Sequence, residues 1–120
     1  MNVAAPFRTE IDILTEEWDL PYITIKVNGR LSRAIARTLI QRGELKMEIS
    51  KKLLDFPPAA MIEVARHEFA HALEYAETRR LSHSADWKHF AKAVGAKPTA
   101  AASVEERVAA TMDHQEKGIA

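Results

Sequence analysis

"AAMIEVARHEFAHALEYAET", residues 59–78, decides how this chain is read. Ile62, Ala65, Phe69, Ala72, Leu73 and Ala76 recur at spacings of three and four, which is the apolar stripe of a helix. Pro57-Pro58 breaks the chain just before it, and proline suits a first helical turn. Positions four apart on a helix differ by about 40° of rotation, so His67 and His71 point the same way from consecutive turns. Val64 and Tyr75 flank them on that face. The pattern predicts a helix that packs with its apolar side and presents the histidines with the other.

Two imidazoles so placed can hold one Zn2+ through nitrogen. Glu68 lies one residue beyond His67, at the edge of the same face. Its carboxylate can take a proton from water beside the metal without being a ligand. The order His-Glu-x-x-His therefore joins a Lewis acid to a base, which is the pairing that peptide hydrolysis needs. A catalytic zinc usually has three protein ligands, so a third must come from elsewhere. His83, in "LSHSADW", is the first candidate. Glu74, Glu77 and Asp86 are weaker ones, and Asp86 could instead orient a ligand histidine or cap a helix. His89 and His114 read as solvated surface groups. The alternative is an ordinary helix with surface histidines and no metal.

Outward from that helix the elements are shorter. Phe7, Ile11, Leu14 and Trp18 form a helical stripe, opened by Pro6 and closed by Pro21. "YITIKV", Tyr22–Val27, alternates and is β-branched, so it predicts a strand. Asn28-Gly29 follows, a favoured two-residue hairpin turn, and predicts that "RLSRAIARTLI" returns as a second strand. In "ELKMEIS", Leu45, Met47 and Ile49 alternate with polar residues, a third strand after a turn at Gly43. A three-stranded antiparallel meander is expected. Ser50 suits the N-cap of a short helical turn. A second packing helix is expected over about Ser84 to Val94, with Trp87, Phe90, Ala91 and Val94 inward and Gly95 ending it. Ser103 and Glu106 form a capping box for a C-terminal helix lined by Val104, Val108 and Met112. The expected fold class is α+β, with a domain over 1–98 and a short linker and helix over 99–120.

The chain has 120 residues, suited to one modest core, and no cysteine, which excludes disulfides, a cysteine nucleophile and a cysteine zinc ribbon. The N-terminal stretch lacks the layout of a signal peptide, and no apolar run is long enough to span a bilayer. A cytoplasmic monomer is expected. Net charge is zero, with 17 basic and 17 acidic residues, so nothing global draws the chain to nucleic acid. Between Pro21 and Leu54, however, Lys26, Arg30, Arg33, Arg37, Arg42, Lys46, Lys51 and Lys52 face only Glu44 and Glu48. Lys26, Arg30, Arg33 and Arg37 are the candidates for contact with DNA, against the plainer reading of a solvated face.

From about Tyr22 to about Thr99 the sequence resembles the SprT-like metallopeptidase domain, a zincin. "RHEFAHALEYAETRRLSHSADWKHFAKAVGAKP" carries the resemblance, together with "ELKMEISKKLLDFPP" before it. The family pattern is a His-Glu-x-x-His helix, then His-Gly-x-x-Trp, then a helix ending near Gly and Pro. The resemblance implies that His67, His71 and His83 are zinc ligands, that Glu68 is the catalytic base, and that Trp87 packs beneath the site. It implies a zinc-dependent endopeptidase acting on protein or peptide, with an edge strand pairing to the extended substrate. Some members act on proteins bound to DNA, and the basic strip is compatible with that. A related small zincin family with a similar histidine layout implies the same chemistry. Two features depart from the pattern: Ser84 stands where glycine is usual, and a capped helix stands where many members carry a cysteine ribbon. Tyr75 is a weak candidate for substrate contact, with packing on the sheet as its plainer role. Two other readings are a metal-stabilised binding module without catalysis and a DNA-binding accessory domain.

Overall fold

The computed structural model describes residues 4–79, 81 and 85–96. In chain order these form α1 (Ala5–Glu17), β1 (Thr24–Val27), β2 (Ala36–Gln41), β3 (Glu44–Ile49), a 3-10 turn (Lys51–Asp55), α2 (Pro58–Thr78) and α3 (Ala85–Ala93). The fold is α+β, as expected. The C-terminal helix, its capping box and the division at residue 98 lie outside the described residues.

α2 is the hub, packing against α1, α3 and β2. It starts where two prolines force it to: Pro57 is extended, and its carbonyl accepts from the amides of Ala60 and Met61. It stops at Arg79, which takes a left-handed φ of 63° while its amide bonds Tyr75 O. α3 ends in a Schellman motif at Gly95, with Ala96 N–H reaching Ala91 O and Gly95 N–H reaching Lys92 O. α1 ends the same way without glycine, because Asp19 adopts the left-handed conformation. The 3-10 turn is capped by Ser50, whose Oγ accepts from Lys52 N–H at 3.2 Å.

Phe7, Ile11 and Leu14 of α1 are buried in the same core as Met47, Ile49, Phe69 and Trp87. Trp18, expected in that stripe, is exposed, because α1 has already ended and Trp18 is its cap. Ala76, expected in the core, is exposed near the end of α2. Two cross-links fix α1: Arg66 donates to Glu10 at 2.8 Å, and Arg8 donates to Ile23 O at 2.9 Å.

The sheet corrects the expected antiparallel meander. Its order is β1-β3-β2; β2 and β3 are antiparallel, but β1 and β3 are parallel. Asn28-Gly29 is not a hairpin turn. Asn28 Oδ1 accepts from Arg30 N–H and its carbonyl from Leu31 N–H, which turns the chain away from β1. Asn28 N–H stays on Ile49 O, at the end of the parallel ladder. The chain then passes irregularly to Ile35, so β2 starts later than expected and lies on the far edge. The true hairpin is at Arg42-Gly43, both with positive φ (53° and 79°), the geometry of a type I′ turn. β3 takes the centre because it alternates most cleanly, with Met47 and Ile49 fully buried on its inner face.

Candidate metal centre

Histidines 67 and 71 sit where the sequence puts them, on consecutive turns of α2, with ring centroids 5.3 Å apart. They do not present an open face. His67 is 1% exposed, Glu68 2%, His71 8% and Glu74 0%. The expectation of one packed and one presented side is therefore corrected: in the middle turns of α2 the histidine face is buried as deeply as the apolar stripe. Trp87 of α3 lies against both imidazoles. Its ring centroid lies 4.8 Å from that of His67 and 5.4 Å from that of His71, nearly parallel to the latter at 28°. Its Nε1–H reaches His67 O at 3.4 Å, so α3 is tied to α2 at the first histidine.

These residues fit a metal ion. An ion about 2.0–2.1 Å from an imidazole nitrogen stands about 3 Å from that ring's centre, so rings up to about 6 Å apart can share it. The observed separation of the two rings falls inside that reach. Glu74 lies one turn beyond His71, its Oε1 3.7 Å from His71 Nδ1. A carboxylate on that side favours the tautomer with hydrogen on Nδ1 and leaves Nε2 as a donor lone pair.

Among the described residues no group of three His, Cys, Asp or Glu is placed to hold a metal ion. Glu74, Glu77 and Asp86 therefore do not complete the set there; Glu77 and Asp86 are both exposed. Asp86 stands in the first turn of α3, where a negative charge suits the helix dipole. His83 lies outside the described residues. His89 is exposed, in keeping with a surface role.

Glu68 has a partner that sequence reading missed. Thr38 Oγ1 on β2 lies 2.9 Å from Glu68 Oε1 and 3.1 Å from Glu68 O. No motif marks Thr38. Only the alternation of β2 could have pointed to it, since a hydroxyl then falls on the inner face between Ala36 and Ile40.

β2 is an edge among the described residues. A two-residue hairpin is closed by a hydrogen-bonded pair, here Gln41 and Glu44, so bonded pairs continue at Leu39 and Arg37. Ser50 N–H to Ile35 O, at 2.7 Å, extends the same phase. The backbone groups of Ala36, Thr38 and Ile40 therefore point out at the edge.

Tyr75 is elsewhere. It lines a groove of about 610 Å³ with Leu20, Pro21, Tyr22, Leu45 and Arg79, and none of His67, Glu68 or His71 belongs to that lining. Its ring faces the Arg79 guanidinium, 5.3 Å away.

The basic strip is divided. Arg30 and Arg33 are exposed on the passage between β1 and β2. Arg37 is bound by Glu48, with Nε to Oε1 at 2.6 Å, and Lys26 stands opposite Glu48 in the parallel register. The Arg37 hydrogen bond holds the Glu48 carboxyl below its ordinary range; Asn28 and Lys26 add to this, while partial burial opposes it.

Among the described residues, no helix is long and apolar enough to cross a membrane. A model of the SprT-like family matches residues 7–114, most of the chain and more than the stretch that carries the motif, since it takes in α1. No curated protein and no solved structure matches.

Proposed function

The chain belongs to the SprT-like family, and from that premise we propose that it is a zinc-dependent endopeptidase. The observation that carries the reading is the buried trio His67, Glu68 and His71, with two imidazoles in reach of one ion and a carboxylate between them in sequence. His67 and His71 would hold the metal, with His83 as the third ligand. Bound there, Zn2+ supplies Lewis acidity toward a peptide carbonyl and toward water.

The chain's own residues do the rest. Glu68 takes the proton from the attacking water and delivers it to the leaving amine nitrogen, so one carboxylate serves both halves of the reaction. Burial of Glu68 keeps bulk water from screening that transfer. Glu74, whose Oε1 stands 3.7 Å from His71 Nδ1, would help to orient that imidazole. The outward backbone groups of Ala36, Thr38 and Ile40 receive an extended segment of substrate as an added strand. The substrate is a protein or peptide that can present such a segment.

Where that substrate is bound to DNA, Arg30 and Arg33 make the contact, since Arg37 and Lys26 are engaged around Glu48. A mobility shift at low salt that weakens in Arg30→Ala/Arg33→Ala supports this part, and its absence removes it.

The test of the whole reading is cleavage of an unfolded protein such as casein. Cleavage that a chelator stops and added zinc restores is expected. A chain that keeps tightly bound zinc yet cleaves nothing is a metal-stabilised binding module instead.

A further inference from the structure

We propose that Thr38 is a positioning residue that fixes the carboxylate of Glu68 from the edge strand, an inference that rests on the peptidase reading above. Thr38 lies on the inner face of β2, opposite fully buried Met47. Valine would suit that place better for the fold: it has the same shape, favours strands and carries no polar atom. The hydroxyl instead meets both the carboxylate and the backbone carbonyl of Glu68, at 2.9 and 3.1 Å. Its single hydrogen is shared between them and ties the base to a strand thirty residues earlier.

The same residue faces the substrate. The N–H and C=O of Thr38 point out at what is an edge among the described residues, while its side chain points in at Glu68. One residue therefore sets the distance between a peptide paired to β2 and the carboxylate that must reach its water and its leaving nitrogen. Lewis acidity and ligand geometry do not depend on this link; alignment of the base does. Errors of about 1 Å in such alignment cost on the order of 100-fold in rate.

The test compares Thr38→Val and Thr38→Ser with wild type on one quenched-fluorescence peptide taken from a site cleaved in casein. Thr38→Val is expected to lower kcat on the order of 10- to 100-fold, with KM and zinc content unchanged. Thr38→Ser, which keeps the hydroxyl, is expected to restore most of that loss. Unchanged kcat in Thr38→Val overturns the proposal. So does a loss of zinc that tracks the loss of rate, or a failure of serine to rescue, since either makes Thr38 a packing residue.

A second readout needs no activity. The Tm change on Thr38→Val should shrink in a Glu68→Ala background in the metal-free protein. Equal changes in both backgrounds overturn the link even if the wild type cleaves nothing; that inactivity would count against the peptidase reading and not against Thr38.

Discussion

Two clusters of ionisable residues in this molecule sit under opposite conditions. His67, Glu68, His71 and Glu74 stand on α2 and are all buried. Lys26, Glu48 and Arg37 stand side by side across the outer face of the sheet, with the Arg37 side chain 50% exposed and that of Glu48 19%. The outer cluster gathers its cations around one partly exposed carboxylate near the surface, where an ion pair contributes little. The inner cluster places two imidazoles and two carboxylates in a core, a costly arrangement for a fold with no use for it. The contrast separates residues that a surface tolerates from residues that the proposed site would require.

The largest expected effect comes from the inner cluster. Glu68→Gln keeps the shape and removes the base, so hydrolysis should fall on the order of 1,000-fold while bound zinc is retained. Rate assays beside elemental analysis check this, and hydrolysis at the wild-type rate would break the contrast. Trp87→Ala comes next. It removes a fully buried ring that touches both imidazoles, so unfolding by denaturant should show a loss of about 3–5 kcal/mol. A loss below about 1 kcal/mol, the range of surface substitutions, would mean that α3 does not cover the site firmly.

The smallest effect belongs to the outer cluster. Glu48→Gln should cost about 0.5 kcal/mol at neutral pH. Because the folded-state pKa of Glu48 is lowered, chiefly by Arg37, its contribution is present above the unfolded carboxylate pKa. It is lost as pH falls through the folded value. Wild type and variant should therefore converge in stability in acid, as urea melts at several pH values would show. A gap that widens as pH falls would contradict that sign.

The sequence makes the inner cluster's address legible but not its surroundings. His67, Glu68 and His71 can be placed because helical spacing is a local property, and the bounds of α2 follow from Pro57-Pro58 at one end. The burial of their face cannot be read locally, since it depends on Trp87 arriving from α3. The parallel pairing of β1 with β3 is illegible for a related reason. Asn28-Gly29 has the composition of a hairpin, but the Asn28 side chain caps Arg30 N–H, and β3 claims the place beside β1. Thr38 is invisible for the same cause, because its partner lies thirty residues away on another element. Local chemistry writes the two histidines and the glutamate of α2; long-range packing writes what holds and covers them.

The most direct measurement is zinc content of the purified wild type beside His67→Ala and His71→Ala, after loosely bound ions are removed. The account requires about one zinc per chain in the wild type and its loss in each variant. No zinc in the wild type even after adding it back, or zinc retained in both variants, would contradict it.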